Sequence, residues 1–93
     1  MVATPGHEKR ILLIEDNSTH YRTIMRRLRE EGYTVDRVQT YDDAIHTLMT
    51  RHYHVAIVDL FLVNPPVGEP DGVRILHAIS ESPLARVLTA IIL

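Results

Sequence analysis

Two short apolar segments of this chain each end on acidic residues. Residues 11–14 are followed by Glu15 and Asp16, and residues 55–58 are followed by Asp59. Where two such segments form neighbouring strands of one sheet, three carboxylates meet at their ends. At a separation of about 4 Å and an effective dielectric constant of about 20, like charges repel by roughly 4 kcal/mol per pair. A cation between the carboxylates removes this penalty. Because hard oxygen ligands suit Mg²⁺, the pattern predicts a magnesium site.

A second interpretation of these acids is structural. Strand ends lie at the surface, where acidic residues are common without any ligand. We favour the functional interpretation because two separate strands end in the same way. His46, His52 and His54 could in principle bind zinc, but a zinc site needs a converging third or fourth ligand. Because ordinary surface histidines are far more common, we favour that interpretation of these three residues.

The elements that must position the acids alternate along the chain. The continuous apolar runs at 11–14 and 55–58 are typical of strands buried on both faces of a parallel sheet. Residues 34–38 predict a shorter strand near an edge, and residues 87–93 lead into another apolar strand. Strands that alternate with helices require a parallel sheet with right-handed crossovers and helices on both faces. Ligands bind beyond the carboxyl ends of the strands in such a sheet, where the acids lie.

Three segments between the strands have helical periodicity. Ser18 and Thr40 are residue types that cap helices. The third helix begins at Asp71 and continues to about Glu81, before Pro83. The apolar spacing predicts three buried faces, formed by Tyr21, Ile24, Met25 and Leu28; by Ala44, Ile45, Leu48 and Met49; and by Val73, Ile75, Leu76 and Ile79.

Composition excludes several classes of function. The chain has 93 residues, one domain's worth, and 45% of them are apolar, which is too many for a disordered tail. Ten Lys and Arg residues against twelve Asp and Glu give a net charge of −2, which argues against nucleic-acid binding by this segment. Since there is no cysteine, disulfides, thiol catalysis and cysteine-based zinc sites are excluded. No apolar run reaches the roughly 18 residues of a membrane span, and residues 1–10 have no apolar stretch typical of a secretory signal, so we expect a cytoplasmic protein.

Three motifs in this order resemble the receiver domain of two-component response regulators. They are ILLIED at residues 11–16, VAIVDL at 55–60 and DGVRIL at 71–76. The resemblance implies a flavodoxin-like (CheY-like) doubly wound parallel sheet in three αβα layers. It also implies that residues 1–10 are a flexible leader and that residues 11–93 are the receiver domain.

By this resemblance, Asp59 is the phosphoacceptor and receives a phosphoryl group from a histidine kinase or a histidine phosphotransfer protein. Asp16 binds Mg²⁺ directly, Glu15 binds it through water, and the backbone carbonyl of Phe61 completes the protein's ligands. The family implies a downstream output domain in the parent chain. Enzymatic activity is limited at most to Mg²⁺-dependent self-phosphorylation and self-dephosphorylation.

The sequence also departs from the family pattern. Aligned from Asp71, it stops after the fourth strand, so the expected domain is incomplete, with about four strands and three helices. The switch Ser or Thr and the lysine of the fifth strand are absent, since Thr89 comes too early in the register and Lys9 precedes the first strand. We therefore expect a fragment of a longer protein. The loop from Asp59 to Asp71 is longer than usual, with a proline-rich insertion within residues 63–70. We favour a tolerated surface insertion; the alternative is a loop that restricts access to the site or offers a partner surface.

These departures favour a second function for the chain as it stands. In this alternative it is a non-phosphorylatable pseudo-receiver or truncated fragment that acts as a protein-interaction module. An exposed apolar last strand would then support self-association. The basic strip on the first helix, formed by Arg22, Arg26, Arg27 and Arg29, is either a solvated face or a docking surface for an acidic or phosphohistidine-bearing partner.

Overall fold

The fold is a four-stranded parallel sheet with helices on both faces. A computed structural model describes residues 9–16, 18–59 and 70–93. The elements in chain order are β1 (Arg10–Ile14), α1 (Ser18–Glu30), β2 (Thr34–Val38), α2 (Tyr41–Thr50), β3 (Val55–Val58), α3 (Asp71–Ser80), one 3₁₀ turn (Pro83–Arg86) and β4 (Thr89–Ile92). The strand order is β2-β1-β3-β4, with every pair parallel. The predicted α/β alternation is confirmed.

Strand β1 builds the core on both sides of the sheet, because its side chains alternate between the two faces. Leu12 and Ile14 belong to a buried cluster with residues of α2 and α3. Ile11 and Leu13 belong to a second cluster, against which the apolar face of α1 packs. The continuous apolar run at 11–14 therefore marks a strand covered by helices on both faces, as predicted.

Local sequence signals determine where several elements begin and end. Thr40 caps α2, because its hydroxyl accepts a hydrogen bond of 3.1 Å from the Asp43 N–H. Gly32 has φ +95° in the turn after α1, a left-handed conformation that side-chain-bearing residues rarely adopt. Helix α1 begins at Ser18, so Ser18 is its first helical residue and not the N-cap residue that precedes the helix.

The predicted buried face of α2 is wrong at Met49. Ala44 and Leu48 are buried in the core, whereas Met49 is 69% exposed. Helical periodicity gives the direction of a side chain but not the extent of the neighbour that covers it. Met49 instead lies at an open apolar groove beside Leu84 and Val87.

Strand β4 forms as predicted and pairs with β3, but all four of its residues are exposed. In the part of the chain that the structure describes, no strand pairs with its other edge. Among these same residues, no helix combines the length and apolar character needed to cross a membrane.

Candidate metal centre

The acids that follow β1 and β3 leave the sheet at the same level. The parallel register pairs Ile14 with Val58. Beyond this pair, the Asp59 N–H donates to the Ile14 carbonyl at 3.0 Å, and the Glu15 N–H donates to the Val38 carbonyl at 3.1 Å. Main-chain hydrogen bonds therefore fix both acids at the carboxyl end of the sheet, which is where ligands bind in this architecture.

The three carboxylates converge as the sequence predicts. One oxygen atom from each of Glu15, Asp16 and Asp59 lies within 4.8 Å of the other two. Within residues 9–16, 18–59 and 70–93, this is the one group of three or more acidic or histidine side chains close enough to share a metal ion. The predicted site residues that the structure describes are thus brought together.

Burial in the cluster decreases from one acid to the next. Glu15 is 2% exposed, Asp59 is half-buried and Asp16 is exposed. Removing a carboxylate from water is unfavourable unless its charge is compensated. Oxygen ligands that combine a buried side with a solvent-facing side suit a hard divalent cation that keeps part of its water shell. The donor set therefore fits Mg²⁺ or Ca²⁺.

Arg37 is a component of this centre that the sequence analysis missed. Its guanidinium donates to the Glu15 carbonyl at 3.0 Å and to the Asp16 carbonyl at 3.3 Å, and it lies 3.5 Å from the centroid of the Tyr21 ring. The signal available in the sequence was strand alternation, because Arg37 is two residues after the buried Val35 and shares its face. The partner loop could be identified only once β2 was placed beside β1.

Two predicted features fall on residues that the structure does not describe. The backbone carbonyl of Phe61 lies outside the described residues, as does the leader up to residue 8.

Asp71, which opens the third family motif, pairs with Arg74 at 2.9 Å at the beginning of α3. This hydrogen bond is the main reason that the pKa of Arg74 is raised.

The histidines take a structural role where the structure describes their contacts. The rings of His52 and His54 lie 5.0 Å apart, edge to face. His54 Nδ1 accepts a hydrogen bond of 3.0 Å from the Arg10 N–H, so this nitrogen helps to join the beginnings of β1 and β3. This contact agrees with ordinary histidines and not with zinc ligands.

Two arginines of the basic strip on α1, Arg27 and Arg29, have partners within the domain. Arg27 pairs with Glu31 one turn along the helix at 3.7 Å. Arg29 donates to the Val35 carbonyl at 3.1 Å and so connects α1 to β2. The basic strip is therefore present on the helix, with part of its charge engaged within the domain.

Comparisons with known proteins identify the fold. No family model matches the chain, and no curated protein sequence does. Among solved structures, a CheY-like response regulator receiver domain from Methylobacillus flagellatus is 22% identical, with a TM-score of 0.77 over 91% of this chain and 68% of that one. A CheY-like receiver domain protein from Methanospirillum hungatei is also 22% identical, with a TM-score of 0.74 over 91% and 62%.

A third match carries ligands. It is a response regulator protein from Burkholderia pseudomallei with a phosphorylated aspartic acid, a calcium ion and citrate; it is 24% identical, with a TM-score of 0.76 over 91% of this chain and 46% of that one. The chain thus spans between 46 and 68% of the lengths of these three proteins. These matches confirm the resemblance inferred from the motifs: the chain has the CheY-like fold of response regulator receiver domains.

Proposed function

We propose that the chain is a signalling module that receives a phosphoryl group on Asp59 in a Mg²⁺-dependent reaction. The observation that carries the proposal is the convergence of three carboxylates within 4.8 Å at the carboxyl end of the sheet. The similar protein from Burkholderia pseudomallei supports it, since its structure holds a phosphorylated aspartic acid and a calcium ion. In this proposal the receiver domain begins with β1 at Arg10, one residue before the predicted boundary, and the leader is shortened to residues 1–9.

The chemistry is a phosphoryl transfer between two side chains. A carboxylate oxygen of Asp59 attacks the phosphorus of a phosphohistidine, and an acyl phosphate P–O bond forms as the P–N bond breaks. The bonding electron pair returns to the imidazole nitrogen, which takes up a proton. Such transfers need alignment and charge neutralisation more than covalent assistance. The three acids would hold a divalent cation, which would neutralise charge on the phosphoryl oxygens.

Each acid has a separate role in this proposal. Asp59 is half-buried, and in this proposal its carboxylate meets the incoming donor. Asp16 would hold the cation directly, and the buried Glu15 would hold it through a water molecule. The backbone carbonyl of Phe61, outside the described residues, is the remaining ligand that we propose.

The proposed partners follow from this reaction. A histidine kinase or a histidine phosphotransfer protein supplies the phosphoryl group, and the arginine strip of α1 offers a cationic surface for its docking. An output domain in the parent chain receives the signal. We propose a cytoplasmic location, where such kinases present their phosphohistidine.

The reaction is tested with small phosphodonors. The chain is incubated with Mg²⁺ and acetyl phosphate or phosphoramidate, and intact mass spectrometry measures the addition of one phosphoryl group. We expect a label on the wild type, no label on Asp59→Asn, and a normal label on the control Asp42→Asn, which changes an acid in the first turn of α2. A label that persists in Asp59→Asn would show that Asp59 is not the acceptor.

A second function is favoured by the open edge of β4. Ile91 and Ile92 are 47% and 54% exposed, and exposed apolar edges promote strand pairing between chains. In this alternative the chain is a non-phosphorylatable interaction module that self-associates through β4. Sedimentation velocity over micromolar concentrations should show a dimer that Ile92→Lys dissociates. A wild type that stays monomeric would exclude this alternative, whereas a dimer that takes no phosphoryl label would favour it.

A further inference from the structure

Arg37 joins three separate elements at the acidic centre. It belongs to the edge strand β2, its guanidinium donates to the main-chain carbonyls of Glu15 and Asp16 at 3.0 and 3.3 Å, and its flat face lies 3.5 Å from the ring centroid of Tyr21 in α1. One side chain therefore contacts the loop that carries two of the three acids and also the helix that follows that loop.

This geometry is specific to arginine. A guanidinium is planar and presents several N–H donors in a fixed fork, and its face stacks on aromatic rings. Hydrogen bonds from a charged donor are stronger than those between neutral groups, and the bond to Glu15 is partly buried. A lysine retains the charge but cannot combine two directed hydrogen bonds with ring stacking.

We propose that Arg37 is a positioning residue of the acidic centre. It fixes the main chain at Glu15 and Asp16, so that their carboxylates stay within reach of the carboxylate of Asp59. This inference rests on the proposed function, in which the three carboxylates hold a divalent cation. Groups that orient metal ligands without touching the metal typically change metal affinity by about 10- to 100-fold when they are replaced.

Positioning and simple electrostatics predict opposite results for Arg37→Met. This substitution removes a positive charge from the neighbourhood of a cation site, so Coulomb's law alone predicts tighter cation binding. The positioning role predicts weaker binding, because the loop carrying Glu15 and Asp16 loses both hydrogen bonds. Arg37→Lys keeps the charge and separates the two effects further, since only the geometry changes.

The chain offers a matched control in Arg29. Its guanidinium also connects α1 and β2, by donating to the Val35 carbonyl at 3.1 Å, but that contact involves neither Glu15 nor Asp16. Like Arg37→Met, Arg29→Met removes a guanidinium and a contact between α1 and β2. It leaves the hydrogen bonds to the main chain of Glu15 and Asp16 in place.

The first experiment is a titration with Mn²⁺, whose free concentration is measured by electron paramagnetic resonance. We expect Arg37→Met and Arg37→Lys to bind Mn²⁺ about 10- to 100-fold more weakly than the wild type, and Arg29→Met to bind it normally. Unchanged or tighter binding by Arg37→Met would overturn the proposal. Urea unfolding of each variant establishes that the compared proteins are folded, and Arg37→Lys remains informative where Arg37→Met does not fold.

The second experiment needs no metal. Hydrogen exchange by NMR measures the protection of the Glu15 N–H, which donates to the Val38 carbonyl beside the Arg37 contact. We expect exchange about tenfold faster in Arg37→Met, as for the loss of one hydrogen bond to a charged group, and no change in Arg29→Met. Unchanged exchange would overturn the positioning role. Faster exchange in a protein whose wild type binds no Mn²⁺ would instead support the positioning of the loop and reject the proposed metal site.

Discussion

At the scale of single residues, Asp36 gathers three partners on the face of β2 opposite Arg37. The hydroxyl of Tyr53 donates to Asp36 Oδ2 at 2.7 Å, and Arg10 and Arg51 approach the same oxygen at 3.9 and 3.8 Å. Tyr53 is 3% exposed. Burial is the largest cause that raises the pKa of Tyr53 above its ordinary value, and the hydrogen bond to Asp36 is the next largest.

The raised pKa of Tyr53 predicts a loss of stability at alkaline pH. The protonated phenol is favoured in the folded state, so its contribution is fully present below the ordinary pKa of about 10 and is lost as the pH rises through the folded-state pKa. We expect Tyr53→Phe to flatten the decline of the free energy of unfolding above about pH 10, measured by urea denaturation. Tyr33→Phe is the control, since Tyr33 is exposed. An unchanged alkaline decline in Tyr53→Phe would contradict the argument.

The same contacts predict a difference between two substitutions of Asp36. Asp36→Ala leaves the buried Tyr53 hydroxyl without this acceptor, which costs about 1–3 kcal/mol in the free energy of unfolding. Asp36→Asn keeps an acceptor oxygen and loses two exposed ion pairs, each worth less than about 1 kcal/mol. Urea denaturation at neutral pH should therefore rank Asp36→Ala as the less stable variant, and the reverse order would reject the hydrogen bond as the dominant contact.

At the scale of elements, the cap of α2 shows how a local signal determines a boundary. Thr40→Ala removes the hydroxyl that accepts from the Asp43 N–H, and we expect it to lower the free energy of unfolding by about 1 kcal/mol. Thr40→Ser keeps a hydroxyl at the same position and should retain most of that stability. Chemical denaturation of the two variants side by side measures the difference, and equal losses would show that the cap contributes nothing.

The sequence was most informative where the signal is local. The cap at Thr40 and the strands β1 and β3 were predicted because a capping residue type and a continuous apolar run both depend only on neighbours in the sequence. The acidic cluster was predicted because ends of parallel strands share one edge of the sheet. Met49 was misassigned because periodicity does not reveal the limits of a packing partner. Arg37 was missed because the two carbonyls that accept its hydrogen bonds lie more than 20 residues away in the sequence.

At the scale of the whole molecule, two apolar clusters lie on opposite faces of the sheet and share β1. This arrangement predicts that the contribution of an apolar side chain to stability depends on how deeply that side chain is buried. Ile75 in α3 is fully buried, whereas Met49 in α2 is 69% exposed. We expect Ile75→Ala to lower the free energy of unfolding by about 2–5 kcal/mol, and Met49→Ala to change it by less than about 0.5 kcal/mol. Thermal and urea denaturation check both values, and comparable losses would place Met49 in the core.

The pairing of Ile14 with Val58 has a consequence for misfolding. Side chains of a strand alternate with a period of two, so a slip of one residue between β1 and β3 would turn every side chain of the displaced strand to the opposite face. Such a slip would also carry Asp59 away from the level of Glu15. The meeting of these two acids is therefore a signature of correct strand alignment, and any ligand that requires both of them distinguishes the native sheet from its misaligned forms.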